Sequence, residues 1–296
     1  MSSFSQAEQS VKRLIADMAL PDSFQCMVQE IYRPLAELIV NRKRQSPLLV
    51  SIHGAQGSGK STLCRFLQLL IETEYSARVA LFSLDDFYYS QQKRNQLARE
   101  IHPLLVSRGV PGTHNLSLLV DVIDALITGQ SCCVPAFSKA QDEPLPKSEW
   151  QEYSKPVDII LFEGWCNNSP PQSEDDLRQP VNELEAEQDA QGIWRSFCNE
   201  SLKRYHQRVF DFTDLNIMLR IPDFKYVYQW RSLQEQKLSH ALATGGTSKT
   251  MNTNQLRRFI QHFERITRHS LIHLPEKSDL LLPVSENHSI TDIIVQ

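Results

Sequence analysis

Lys60 and Ser61 close the stretch Gly-Ala-Gln-Gly-Ser-Gly-Lys-Ser (54–61), a full match to the G-x-x-x-x-G-K-[ST] spacing that wraps a polyphosphate. Each residue type answers a physical need. Gly54, Gly57 and Gly59 let backbone N–H groups turn toward phosphate oxygens with no Cβ in the way. Lys60 brings a mobile cation to the outer phosphates, and the Ser61 hydroxyl is a hard oxygen donor of the kind Mg²⁺ takes. Ala55, Gln56, Ser58 and Thr62 complete the loop and the first turn of the helix after it, whose positive end favours anions. The pattern implies a bound nucleoside triphosphate with Mg²⁺.

Two acidic sites complement the loop. Asp85 and Asp86 sit in Ser-Leu-Asp-Asp-Phe-Tyr-Tyr (83–89). One carboxylate can take the proton of an acceptor hydroxyl while the other orients substrate or metal-bound water. Asp85 is the preferred base, and Asp86 can equally cap a helix. Glu163 ends Val-Asp-Ile-Ile-Leu-Phe-Glu (157–163), directly before Gly164. An acid closing an apolar strand is placed to hold Mg²⁺ or its water. Asp158, at the other end of that run, reads as a solvated start.

Further polar residues could face a second substrate. In Arg-Gly-Val-Pro-Gly-Thr-His-Asn (108–115) two glycines and a proline fix the path, while Arg108 and His114 can meet an anionic or hydroxylated molecule. The same loop also reads as a rigid turn capped at Asn115. Lys139 follows a short strand and is a candidate contact for a carboxylate. Tyr226, Trp230 and Arg231 open the helix after the fourth strand, where Arg231 can swing over the phosphates as a lid cation. His53 precedes the phosphate loop and reads as a histidine satisfied by backbone.

These residues need a scaffold, and apolar runs supply one. Residues 47–53, 78–83, 157–162, 215–221 and 279–284 read as strands, with helical periodicity between them at 61–71 and 116–126. Asn115 is the expected cap of the second helix and Gly129 its stop. Strands alternating with helices imply an α/β fold: a mostly parallel sheet with helices on both faces. Residues 5–40 read as a helical lead-in broken at Pro21-Asp22. Residues 224–243 and 253–272 read as two helices separated by Gly245-Gly246. Residues 166–191 carry seven acids against the single Arg178, and the expectation is a solvated loop, with an ordered flap as the alternative.

Composition narrows the class. The 296 residues carry 41% hydrophobic side chains and a net charge of −4. That balance lacks the basic excess of a nucleic-acid or anionic-membrane partner. Cys26, Cys64, Cys132, Cys133, Cys166 and Cys198 form no C-x-x-C pair and no metal spacing, so reduced thiols are expected. The first 15 residues lack the basic start and apolar run of a secretory signal, and no stretch approaches the ~20 apolar residues of a membrane span. A cytoplasmic enzyme is the expectation.

Taken together, segments 54–61, 83–88, 108–115, 137–139, 162–165 and 226–237 resemble the plant-type D-glycerate 3-kinase family, within the group that holds phosphoribulokinase, uridine kinase and pantothenate kinase. The resemblance spans most of residues 47–275. It implies a P-loop NTPase three-layer sandwich as a single domain over 1–296: lead-in 1–46, nucleotide-binding core 47–222, lid helices and last strand 223–296. It also implies an ATP-dependent kinase acting on a small hydroxy acid. Asp85 would be the base, supported by Asp86 and Lys60, and Glu163 the metal-associated acid with Ser61. Arg108, His114, Lys139 and Tyr88 would face the acceptor, and Arg231 the nucleotide. Ser138-Lys139-Ala140 stands where that family usually has Asp-Lys-Ser or Asp-Lys-Ala, and Asp142-Glu143-Pro144 where an Asp-Arg step follows. A sugar, nucleoside or pantothenate-like acceptor stays open, as does a nucleotide-hydrolysing switch; no guanine-reading Asn-Lys-x-Asp occurs.

Overall fold

Leu48–Gly54 is buried along its whole length, as its apolar sequence demands, and it forms the middle of the sheet. The computed structural model describes residues 3–42, 47–242 and 251–296, so the glycine pair at 245–246 lies outside the described residues. The sheet strands are β1 Leu48–Gly54, β2 Val79–Ser83, β3 Ile159–Gly164, β4 Leu215–Arg220, β5 Leu280–Pro283 and β6 Ile294–Val295, in the spatial order β6-β5-β4-β1-β3-β2. The first five run parallel, and β6 pairs antiparallel with β5. All five expected strands form. The two-residue β6 is too short to leave a periodic signal.

Period-two side-chain alternation divides the core in two. Leu48, Val50 and Ile52 pack with the helices Arg33–Asn41 and Lys60–Glu74 on one face. Leu49, Ile160 and Phe162 pack with Leu116–Ile127 and Ile193–Arg208 on the other. Three layers result. The helix Thr253–His273 straddles both, sending Leu256 and Ile260 to the first core and Phe263 and Ile266 to the second.

Several local expectations are met by identifiable bonds. Asn115 Oδ1 accepts the Leu118 N–H at 3.2 Å, capping its helix. At the other end Gly129 adopts φ +70°, and the bonds Gly129 N to Leu126 O and Gln130 N to Ala125 O close a Schellman turn. The lead-in is less regular than expected. After Ser3–Asp17 and Phe24–Met27 comes a π-turn at Val28–Tyr32, just ahead of Pro34, which lacks an N–H and crowds the carbonyl one turn back.

Two expectations need correction. Asp158 is not merely a solvated start, since its Oδ2 accepts the Arg78 N–H at 2.8 Å and ties β2 to β3. The acidic segment 166–191 is not a solvated loop either. It contains the helix Glu183–Gln188, and Glu185 and Asp189 are buried. Glu185 takes a forked pair from Arg265 at 2.7 and 2.6 Å, and Asp189 pairs with Arg195 at 3.0 Å. Buried arginines on two later helices supply the charge that water would otherwise have provided.

Candidate active site

The phosphate loop follows β1 and turns on residues only glycine tolerates well. Gly57 and Gly59 have φ of +83° and +91°. A Cβ on Gly57 would stand 2.9 Å from the Trp230 Cβ, so the helix Lys225–Leu242 presses directly on the loop. Nothing lies within 4 Å of where a Gly59 Cβ would stand, and helix Lys60–Glu74 starts one residue on. Ala55 and Ser58 are buried, and Thr62 is half-buried in the first turn of that helix. The loop thus presents backbone N–H groups and a helix N-terminus to the same open side.

Glu163 reaches this loop from the neighbouring strand. Ser61 Oγ donates to Glu163 Oε1 at 2.7 Å, and Lys60 Nζ lies 3.8 Å from Oε2. Oε2 is buried without a hydrogen-bond partner. A hydroxyl beside a carboxylate with an unused oxygen is a donor set suited to Mg²⁺, which takes few protein oxygens and keeps water on its remaining positions.

Asp85 and Asp86 occupy a short 3₁₀ turn, Leu84–Phe87, at the C-terminal end of β2. They have separate tasks. Asp86 Oδ2 accepts the Ser83 N–H at 2.9 Å and Ser83 Oγ accepts the Asp85 N–H at 3.2 Å, a reciprocal cap that holds the turn. Burial pushes the Asp86 carboxyl up to about 6 against the pull of the Ser83 N–H, with Asp85 and Glu163 adding to the rise. Asp85 receives Lys139 Nζ on Oδ2 and Tyr88 Oη on Oδ1, both at 2.7 Å. Burial works against its charge, but the Lys139 ammonium, then Lys60, hold it well below the usual carboxylate range. The Lys139 ammonium is in turn pushed up by Asp85.

Two clefts share Asp85 and Lys139 in their walls. One, of about 710 Å³, is lined by Ser61, Asp86 and Glu163 and also by Arg65, a cation that the sequence reading missed. The other, of about 490 Å³, gathers Gln56 and Lys60 from the loop with Tyr88, Arg108 and Arg231. Its remaining wall is aromatic: Trp165, Phe259 and Phe263. Arg231 lines this cavity together with Lys60 of the phosphate loop and Asp85. Lys139 sits at the tip of the hairpin formed by Phe137–Ser138 and Glu143–Pro144. Arg108 lies over the Phe137 ring at 5.6 Å and pairs with Asp142.

His114 is the exception among the expected contacts. It is buried, does not line the cavity, and stacks beneath Tyr88 with ring centroids 4.6 Å apart. Tyr205 Oη accepts the Gly112 N–H at 2.9 Å and lies 2.9 Å from His114 Nδ1. Burial drops the His114 pKa to about 3, so the ring is neutral. His114 thus braces Tyr88 from behind. His53 behaves as expected, its Nδ1 3.0 Å from the Asn167 carbonyl and its pKa pushed by burial down to about 4.

The aromatic wall left only an indirect trace in the sequence. Phe259 and Phe263 lie on the apolar side of the helix Thr253–His273, and that the same side also faces a cavity follows from where the helix crosses. Gly109 makes the crossing possible. Its φ is +129°, and a Cβ there would stand 2.5 Å from the Phe263 ring. Trp165 Nε1 donates to the Gly109 carbonyl at 2.8 Å, fixing the loop from the other side.

Comparison with known proteins finds kinases of related sequence and fold. Residues 49–168 match the Phosphoribulokinase / Uridine kinase family. An uncharacterized kinase of Schizosaccharomyces pombe is 29% identical over 228 residues, 73% of this chain and 78% of that one. The chloroplastic D-glycerate 3-kinase of Arabidopsis thaliana is 28% identical over 216 residues, 70% of this chain; the chain spans 45% of that relative's length. Among solved structures, D-glycerate 3-kinase from Cryptococcus neoformans superposes with a TM-score of 0.69 at 25% identity, covering 90% of this chain and 99% of that one. The expected resemblance and the mostly parallel α/β fold both hold. Among the described residues no helix is long and apolar enough to cross a membrane.

Proposed function

We propose that this chain, which carries a phosphoribulokinase/uridine kinase family domain in residues 49–168, transfers a phosphoryl group from ATP to a hydroxyl of a small hydroxy acid, D-glycerate first among them. The observation that carries the reading is the convergence of Lys60, Asp85, Arg108 and Lys139 on one cavity. A hydrolase needs the phosphate loop and Glu163 but has no use for a second cationic wall. An acceptor that is both hydroxylated and anionic uses every one of these groups.

The division of labour follows from charge and placement. Asp85, anionic and held by two donors, orients the attacking hydroxyl and receives its proton. Phosphoryl transfer asks little basicity of that carboxylate, because the transition state is loose and positioning dominates. Arg108 and Lys139 supply cations for the acceptor carboxylate, and Arg231 closes the cavity from the lid side. Trp165, Phe259 and Phe263 exclude water, which favours transfer over hydrolysis. Bound Mg²⁺ neutralises phosphate charge, and Ser61 with Glu163 would hold it. The choice of D-glycerate leans on the two relatives that bear that activity in their names.

A coupled ADP-release assay tests this with D-glycerate, other hydroxy acids, pantothenate, nucleosides and no acceptor. ADP formation that requires a hydroxy acid supports the proposal. Equal release without acceptor would make the protein a nucleotide hydrolase, and a response confined to pantothenate or a nucleoside would overturn the substrate class.

A further inference from the structure

Arg94 lies on the helix Gln91–Glu100, a polar surface helix, yet it is only 1% exposed. Each of its three guanidinium nitrogens has a partner. Nε donates to the Tyr89 carbonyl at 3.1 Å, Nη1 to the Val106 carbonyl at 2.8 Å, and Nη2 to the Asp142 carbonyl at 3.0 Å. Nη2 also pairs with Asp142 Oδ2 at 2.8 Å. Those three partners belong to three separate segments. Tyr89 follows Asp85 and Tyr88, Val106 precedes Arg108, and Asp142 closes the turn that begins at Lys139. Every acceptor-facing polar group outside the phosphate loop and the lid helix therefore hangs from a segment that Arg94 touches.

The connection continues one step further. Asp142 uses Oδ2 for Arg94 and Oδ1 for Arg108, so it carries the placement of one guanidinium to the other. Its backbone sits at φ +59°, a left-handed conformation that aspartate tolerates better than most residues. Gln91 reinforces the joint: its N–H donates to Glu143 Oε1 at 3.1 Å, and its side chain to the Gln141 carbonyl at 3.2 Å.

We infer that Arg94, acting through Asp142, is the positioning residue of the acceptor half of the site. It sets Arg108 and Lys139 without contacting substrate, and leaves the nucleotide half untouched. The planar fork of arginine suits this task because its donors point in fixed directions toward several partners at once; lysine offers a single mobile ammonium. The inference rests on reading the Arg108 cavity as the acceptor site.

Arg94→Lys and Asp142→Asn test it by two independent readouts. With D-glycerate as the probe, both should raise the acceptor KM roughly ten- to hundredfold, the scale of an ångström-level misplacement, while the ATP KM stays within about twofold. A parallel rise in both KM values would mark general loosening and overturn the inference. So would an unchanged acceptor KM, or a fall in Asp142→Asn, which would mean that Asp142 masks Arg108 instead of aiming it. Hydrogen exchange needs no turnover. Faster exchange at 106–108 and 139–144, with 54–62 unchanged, is the expected result, and no change in either variant overturns it. Should the wild-type protein phosphorylate no hydroxy acid, the proposed substrate class fails, and exchange alone still decides the role of Arg94.

Discussion

Lys139 Nζ lies 2.7 Å from Asp85 Oδ2, joining the tip of a two-stranded hairpin to the C-terminal end of β2 across 54 residues of sequence. The pair keeps the carboxylate ionised and places a cation at the border of the two clefts. It also means that the residue best placed to act as a base is a weak one. The chemistry this site suits is therefore one in which orientation outweighs proton affinity, as in phosphoryl transfer.

Asp85→Asn should leave ATP binding largely intact and lower kcat by roughly 10²–10⁴, the usual worth of a positioned general base. Steady-state kinetics with titration of a nucleotide analogue separates the two effects. Full activity would remove Asp85 from the mechanism and shift attention to Asp86.

Asp86 should leave a mark on the pH dependence of stability. Its carboxyl rises from an ordinary value of 3.8 to about 6 in the folded protein. Between those values the folded state binds more proton than the unfolded one, so this group makes stability fall as pH rises from about 4 to about 6 and has no further effect above. Asp86→Asn, whose amide oxygen can still accept from Ser83, should abolish that component. Urea unfolding of both proteins at pH 4 to 7 checks it; identical slopes would contradict the assignment.

Glu185→Gln should destabilise the fold by about 3–5 kcal/mol, because it leaves the buried Arg265 guanidinium without its charge partner. Urea or thermal unfolding reads the loss directly. A change below about 1 kcal/mol would mean that the carbonyls of Asp176 and Gln179, which Arg265 also reaches, suffice to hold it.

Tyr205→Phe removes the hydroxyl shared by Gly112 N and His114 Nδ1 and should cost about 1–3 kcal/mol for the buried groups it strands. It should also raise the acceptor KM, since His114 braces Tyr88 and Tyr88 holds Asp85. Stability loss without any kinetic change would confine Tyr205 to a structural role.

What was legible in the sequence was local. The phosphate loop could be read because its chemistry depends on glycine, lysine and serine at fixed short spacing. Glu163 could be read because an acid ending an apolar run is conspicuous, and Asn115 because a cap bonds three residues ahead. The five parallel strands followed from apolar runs broken by helical periodicity, with ends displaced by up to two residues where pairing continued, as at Glu163 and Gly164.

The remaining features depend on partners far apart in the chain. Arg265 and Glu185 are 80 residues apart, and neither side chain's period or spacing points to the other. The acidic segment read as solvated because its compensating arginines, Arg195 and Arg265, lie on later helices. His114 and Arg94 would each pass for a surface or substrate-binding residue by type alone, and both are buried, His114 against the Tyr88 ring and Arg94 against three loop carbonyls. Residue type and short spacing determined that this protein carries a phosphate-loop motif beside two acidic strand ends. Which cations and rings stand opposite Asp85 was decided only by how helices and hairpin pack over the sheet, since packing brings together groups whose separation along the chain carries no signal.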